Sequence, residues 1–214
     1  MVTPAPKWPG LRTYCNPNLN AHMGALYRWT ERVSESKINY WSTYIVDLSL
    51  ATFFLGFDLT HHALARTTAF VLFTIGVFAW TLTEYTFHRW MYHNVGINLT
   101  REGHEKHHVD PSLYIAMPWF VTPLVFVPIQ LVVAGYFGLH GLSSLLAGWF
   151  VGFVAYGLMH HSLHHYKLPF AWYRHLQSQH RIHHAFPETN YGVTMRYWDR
   201  LFGTEFTKPQ RVRD

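Results

Sequence analysis

Residues 141–165 read GLSSLLAGWFVGFVAYGLMHHSLHH, an uncharged apolar run that ends directly in four histidines. Its apolar part, Gly141–Met159, holds about 20 residues, enough as a helix to cross a bilayer core of about 30 Å. The run is apolar on every side, whereas a helix in a soluble bundle carries a polar stripe. This stretch predicts an all-α protein that spans a membrane and gathers histidines at one end of a span.

Three further apolar blocks of similar length precede it, and the four together predict four transmembrane helices. The earlier blocks run over Ile38–Phe57, Thr67–Phe87 and Met117–Phe137. The first is the weakest candidate because Asp47 lies inside it, and the second carries one carboxylate, Glu84, near its end.

The composition fits a membrane protein of one domain. Only 14% of the 214 residues are charged, against about a quarter in ordinary soluble domains. Cys15 is the only cysteine, which excludes a disulfide scaffold, and no signal peptide is visible at the start of the chain. We expect residues 1–37 to form an N-terminal cytosolic or interfacial segment and residues 38–214 a single membrane domain.

The basic residues indicate which side of the membrane the histidines occupy. In a four-span protein, sixteen of the seventeen Lys and Arg residues lie on one side and only Arg66 on the other. An excess of this kind marks the cytoplasmic side, so we expect both termini there. The asymmetry also accounts for the net charge of +5 without nucleic acid as a partner.

Thirteen of the seventeen histidines follow the two helical hairpins. The first region contains EYTFHRWMYH at 84–93 and HEKHH at 104–108, and the second contains HHSLHH at 160–165, the single His175, and HRIHH at 180–184. The other four, His22, His61, His62 and His140, are interpreted as surface or loop histidines. The two regions share a layout, so we expect a structural repeat.

The spacing within each region predicts metal binding. Residues at i, i+3 and i+4 of a helix share a face, so each H-x-x-H-H cluster presents three imidazoles together. His88 and His93 are five residues apart and face about 140° from each other on a regular helix. They need a distorted helix end, or they serve different ions.

Neutral imidazole is a common metal ligand, and about five ligands from each half suit two ions. All-imidazole ligation fits several metals, among which a redox pair that reacts with O₂ favours iron. Glu84, one turn before His88, is a candidate acceptor for the far N–H of that imidazole.

These segments, with YWDRLFGT at 197–204, resemble the membrane fatty acid hydroxylase / sterol desaturase superfamily, and within it the fatty acid 2-hydroxylases. The resemblance implies four transmembrane helices with a cytosolic helical cap that holds a dinuclear metal site. It also implies two Fe ions, with Zn possible in purified protein, O₂ as co-substrate and a lipid substrate. The ligands it implies are His88, His93, His104, His107, His108, His160, His164, His180, His183 and His184. His165 and His161 would lie outside that set, beside the ligands.

The same resemblance indicates no bound haem, because the start of the chain lacks the haem motif of a cytochrome b5 domain. A separate electron donor such as a ferredoxin, a cytochrome b5 or a reductase is then expected. The compact size is typical of a bacterial member, located in the inner membrane.

Several alternatives stay open. A carotenoid or sterol hydroxylase, or a desaturase, would use the same metal centre. A histidine-rich metal transporter would place ligands within the spans or on both sides, and only Asp47 favours it.

Overall fold

The fold is helical throughout the part of the chain that the computed structural model describes, residues 24–61, 64–94 and 99–207. The helices in chain order are α1 (Ala25–Ser34), α2 (Lys37–Thr60), α3 (Arg66–Thr86), α4 (Leu99–Val109), α5 (Val121–Gln130), α6 (Leu142–His165), α7 (Ala171–Ala185) and α8 (Tyr197–Leu201). A π-helical turn, Phe87–Tyr92, continues α3, and a second, Leu131–Tyr136, continues α5.

Among the described residues, three helices are long and apolar enough to cross a membrane: Lys37–Thr60, Arg66–Tyr92 and Leu142–His165. They match the predicted first, second and fourth blocks. The last helix continues beyond Met159 through all four histidines of HHSLHH. These histidines therefore lie on the last turns of the helix and not in a loop after it.

The predicted third block forms a shorter apolar helix, Val121–Tyr136. Residues 117–120 of the predicted block are not helical, because the backbone before Val121 is hydrogen-bonded to α2. Asn39 donates from Nδ2 to the carbonyl of Met117 (3.2 Å) and accepts from the N–H of Trp119 (2.9 Å). Pro118 lies between them, and a proline disfavours helix in the residue before it.

Close contact between α3 and α6 fixes the frame of the bundle. A Cβ added at Gly76 would lie 2.0 Å from the carbonyl oxygen of Leu145, and one at Gly148 would lie 1.9 Å from that of Phe73. Small residues allow helix backbones to approach in this way inside membranes. The two helices that end in histidines are thereby held side by side.

The second contact of α6 is with α2. Leu50 and Phe54 of α2 pack on Ala147 and Phe150 of α6 in a buried cluster. At the far end of α2, Asp58 accepts hydrogen bonds from the N–H (2.6 Å) and hydroxyl (2.8 Å) of Ser144, which caps the start of α6. An acidic side chain at a helix N-terminus satisfies free N–H groups there.

Candidate metal centre

Histidines from the ends of α3 and α6 and from α4 and α7 meet in two groups of five. In each group one nitrogen of every imidazole lies within 4.8 Å of the others. Group one is His88, His93, His104, His108 and His183, and group two is His107, His160, His164, His180 and His184. The ten residues that the resemblance implied as ligands are the ten brought together here.

The groups are not divided by sequence half. Residues i and i+4 of a helix differ in direction by about 40°, whereas i+3 points about 100° away from i+4. His104 and His108 therefore stay in group one, and His107, on the same helix, enters group two. In the second half His180 and His184 stay together and His183 crosses. The middle histidine of each H-x-x-H-H cluster thus joins the opposite group.

The π-helical turn after α3 brings His88 and His93 into one group. A π-turn closes i→i+5 hydrogen bonds, so residues five apart come onto one side. The two imidazole centroids are 5.3 Å apart. The expected distortion of the helix end is present, and both histidines belong to group one.

The nitrogens of each group are spaced as ligands around one ion would be. Ligands at about 2.1 Å from an ion in octahedral geometry are about 3.0 Å from their neighbours and about 4.2 Å from the opposite ligand. Within group one, Nε2 of His104 lies 3.1 Å from that of His88, 3.1 Å from that of His93 and 3.0 Å from that of His108. Within group two, Nε2 of His164 lies 3.0 Å from that of His107, 3.2 Å from that of His160 and 2.7 Å from that of His180.

Protons alone cannot satisfy these contacts. A single ring nitrogen carries at most one hydrogen, so Nε2 of His104 can donate to only one of its three nitrogen neighbours. The remaining lone pairs would face each other in a buried site, where unpaired polar groups are costly. A cation at the centre of each group uses all of the lone pairs, so the residues fit a metal ion.

Burial keeps the imidazoles neutral. Removal from water, followed by the charges of neighbouring histidines, lowers the pKa of His107 to about 2. Burial is also the largest cause that lowers the pKa of His183 to about 3 and that of His184 to about 4. Neutral imidazole is the form that binds a metal, so the lone pairs are available at physiological pH.

Two backbone carbonyls determine which nitrogen keeps the proton in group one. Nδ1 of His88 lies 2.5 Å from the carbonyl oxygen of Tyr191, and Nδ1 of His183 lies 2.7 Å from that of Thr189. A carbonyl oxygen only accepts, so both Nδ1 atoms donate. The lone pairs of both rings are then on Nε2, which faces the centre of the group.

The prediction that Glu84 accepts the far N–H of His88 is wrong, because that N–H donates to the carbonyl of Tyr191. One oxygen of Glu84 accepts from the backbone N–H of Val193 (2.6 Å) and of Thr194 (2.9 Å), and the other oxygen accepts from the hydroxyl of Thr194. Helical spacing predicts only that Glu84 and His88, four residues apart, lie on one face of the helix. It could not show that a distant segment of chain fills the space between this carboxylate and the imidazole.

Sequence reasoning missed the segment that holds these carbonyls. Residues 189–194 begin five positions after the HRIHH motif, but their carbonyl and N–H groups act without a characteristic side chain. The signal available was YWDRLFGT, since Asp199 within it accepts from the N–H groups of Tyr191 and Gly192, both at 2.8 Å.

A cavity of about 190 Å³ adjoins both groups, between α2, α4 and α6. Its lining combines aromatic and apolar side chains with histidines of both groups and with the charged side chains of Glu31, Glu35, Glu102 and Lys106. The lining includes Tyr44, Met117, Phe153, Tyr156, His104, His107, His160 and His164. A molecule in this cavity would contact histidines of both groups.

His161 and His165, expected beside the ligands, line the same cavity and belong to neither group. Nδ1 of His161 lies 3.2 Å from the hydroxyl of Tyr40, and its ring stacks on His165 at 4.2 Å. His161 is half-buried and His165 is exposed.

The remaining histidines lie away from both groups or outside the described residues. The ring of His61 stacks on Phe57 at 4.7 Å, and His140 is exposed in the connector before α6. His175 is exposed on α7, where its Nε2 contacts the guanidinium of Arg196. His22 and His62 fall outside the described residues.

Comparisons with known proteins agree with this site. The sequence profile of the family described as "Fatty acid hydroxylase" matches residues 73–204. The chain is 34% identical over 158 residues to "Ceramide very long chain fatty acid hydroxylase scs7" of Schizosaccharomyces pombe, across 64% of this chain and 43% of the relative. It is 32% identical over 149 residues to "Dihydroceramide fatty acyl 2-hydroxylase FAH2" of Arabidopsis thaliana, across 63% of this chain and 60% of the relative.

A solved structure shows the same fold. The visible hydroxylase domain of full-length scs7p superposes with a TM-score of 0.68 at 28% identity, over 82% of this chain and 69% of that chain. The aligned region spans about half the length of the two curated relatives.

Proposed function

The chain belongs to the fatty acid hydroxylase family, and from that premise we propose that it is an O₂-dependent hydroxylase of a lipid acyl chain. Carbon 2 of the acyl chain is the proposed position of attack, because the relatives include a protein named as a fatty acyl 2-hydroxylase. The observation that carries the proposal is the pair of five-histidine groups beside a largely apolar cavity.

The proposed cofactors are two Fe ions, one for each group of five histidines, with no haem. Zinc could occupy the same nitrogens in purified protein, because zinc also accepts imidazole. Iron, when bound, would supply the redox chemistry that activates O₂ against an unreactive C–H bond.

The protein's own residues hold and surround these ions. Nδ1–H of His88 and of His183 is fixed on a carbonyl, so each ring is oriented before an ion arrives. Tyr156 stacks on His160 at 5.8 Å and lines the cavity. The aromatic and apolar side chains of the cavity position the acyl chain and exclude water, which limits loss of the oxidant to side reactions.

The membrane arrangement is part of the proposal. The three long helices and the shorter Val121–Tyr136 would form four transmembrane segments, with α1, α4, α7 and α8 as a cytosolic cap. Residues 38–214 would form this one domain. Support comes from the side of the basic residues. The bacterial inner membrane stays a prediction.

A redox protein is the proposed partner. Hydroxylation with O₂ places one oxygen atom in the lipid and one in water, which consumes two electrons from outside the substrate. A ferredoxin, a cytochrome b5 or a reductase could deliver these electrons at the cytosolic face.

Metal and lipid analysis test this proposal together. The purified protein should contain close to two ions per chain. A host with defined lipids should accumulate a 2-hydroxylated acyl lipid when it expresses the parent chain but not His104→Ala. Changing exposed His140 to Ala should alter neither result. One ion per chain with full activity would refute the dinuclear site.

A further inference from the structure

Residues 189–194 form a strap of peptide groups between two buried carboxylates and two histidines. The N–H groups of Tyr191 and Gly192 donate to Asp199, and the next two N–H groups, of residues 193 and 194, donate to Glu84. On the opposite side, the carbonyls of residues 189 and 191 accept from His183 and His88. Both carboxylates are buried, with Asp199 0% and Glu84 3% exposed.

One peptide group of the strap contacts a carboxylate and a histidine at once. The peptide between Tyr191 and Gly192 donates its N–H to Oδ2 of Asp199 at 2.8 Å and accepts Nδ1–H of His88 on its carbonyl at 2.5 Å. A negative charge on the N–H side of an amide increases the negative charge on its oxygen, and bonds in such a chain strengthen one another. Asp199 and His88 are therefore connected by two hydrogen bonds through one peptide group.

The other peptides of the strap lack this double contact. The peptide after Thr189 accepts from His183, but its N–H, on Asn190, donates to the neutral carbonyl of Thr204 at 2.9 Å. Glu84 holds the N–H groups of Val193 and Thr194, whose peptides are not the acceptors of either histidine bond. Asp199 is thus the carboxylate placed to act on a histidine of the centre.

The packing around Asp199 fixes this geometry. Oδ1 accepts from the N–H of Tyr191 and from the hydroxyl of Thr204, both at 2.8 Å. A Cβ added at Gly192 would lie 2.8 Å from Oδ2 and 2.3 Å from the carbonyl oxygen of Met195. Only glycine allows the peptide to come this close to the carboxylate.

We propose that Asp199 is a positioning residue for His88: it holds the peptide 191–192 and, through that peptide, orients the imidazole and raises the basicity of Nε2. The proposal rests on the proposed function, since it assumes that group one holds an ion. Partners of this kind on metal-ligating histidines typically change metal affinity by about 10- to 100-fold.

Zinc binding in single-site backgrounds tests the proposal. His164→Ala disables group two and leaves group one, and His108→Ala does the reverse. Zinc affinity is measured in each background by competition with a chromophoric chelator. Asp199→Asn should weaken zinc about 10- to 100-fold in the His164→Ala background. In the His108→Ala background the change should stay below about threefold, and zinc retained there shows that the variant has folded.

Glu84→Gln is the matched control. Its amide can keep both backbone N–H bonds on one oxygen and donate from nitrogen to the hydroxyl of Thr194, so the strap stays in place. Asn at position 199 must instead direct its NH₂ at the N–H of Tyr191 or of Gly192. Glu84→Gln should therefore change zinc affinity less than about threefold in either background.

A double-variant cycle separates action through His88 from general loosening of the strap. If Asp199 acts through His88, Asp199→Asn should cause no further loss of zinc affinity once His88 is Ala, because coupled residues are not additive. A further tenfold loss, an equal loss in both backgrounds, or no loss at all would overturn the proposal. Should Asp199→Asn not fold, Asp199→Glu, which keeps the charge, should weaken group one alone and by less than about tenfold. A parent chain that binds fewer than two zinc ions would refute the proposed function instead.

Discussion

Each imidazole of the centre has two nitrogens, and its surroundings decide which one keeps the proton. In group one, backbone carbonyls fix Nδ1–H of His88 and His183. In group two, Nδ1 of His180 and of His184 are buried without a partner among the described residues. These two rings of group two therefore lack the carbonyl contact that orients His88 and His183 in group one.

The crossing of the middle histidines gives a prediction that distinguishes the observed grouping from a division by halves. His107→Ala with His164→Ala damages one group only, so the double variant should keep one metal ion per chain. His107→Ala with His108→Ala damages both groups and should keep none. Metal content per chain, measured by mass spectrometry, should follow this order. The reverse order would mean that each sequence half holds its own ion.

The lowered histidine pKa values predict how acid affects the metal-free protein. The pKa of His183 is about 3 and that of His184 about 4 in the fold, against about 6.5 in an unfolded chain. Between these values the unfolded chain binds more protons, so stability falls as pH falls below about 6.5. After chelator treatment, the melting temperature should decrease from about pH 7.5 to about pH 5.5, and less steeply in His184→Gln. A melting temperature that does not change over this range would contradict the buried, neutral state.

At the scale of elements, hydrophobic blocks located three long helices within a few residues. Spacing on one helix gives the direction of a side chain, but not the identity of the helix it meets, so the exchange of His107 and His183 between groups was not predictable. In the third block the helix begins at Val121 and not at Met117, because Asn39 is hydrogen-bonded to the backbone on both sides of Pro118. A contact between distant residues of this kind leaves no periodic signal in the sequence.

The close approach of α3 and α6 predicts a strong effect of a single methyl group. Gly148→Ala would place Cβ 1.9 Å from a carbonyl oxygen of α3, and overpacking of this kind typically costs about 1–3 kcal/mol. The melting temperature in detergent should fall by several degrees, and metal occupancy should fall with it. Gly56→Ala is the control, because nothing lies within 4 Å of a Cβ there, and it should be neutral or slightly stabilising.

At the scale of the molecule, both metal groups lie where α3 and α6 end. The basic residues predict that this end is cytoplasmic. After Cys15→Ser, single cysteines at Asp110 and at Thr60 can be labelled with a membrane-impermeant maleimide in intact cells. Thr60 should be labelled from outside, and Asp110 only after the membrane is opened. Labelling of both positions from outside would refute four spans with a cytosolic centre.

His107 and His183 each belong to the group formed mainly by the other half of the chain, and this connects the two halves. Because His107 of α4 belongs to group two and His183 of α7 to group one, each ion would join both α4 and α7 to one long helix, α3 for group one and α6 for group two. Loss of either cap helix would then disturb both ions. This mutual dependence is a reason for the two halves to act as one centre.

Incorporation of labelled oxygen is the measurement that separates an O₂-dependent hydroxylase from every other use of ten histidines. Cells that express the chain are grown under O₂ enriched in oxygen-18, and their acyl lipids are analysed by mass spectrometry beside a His104→Ala control. We predict one oxygen-18 atom at carbon 2 of an acyl chain in the parent and none in the control. Hydroxyl oxygen derived from water, or equal hydroxylation in the control, would contradict the assignment.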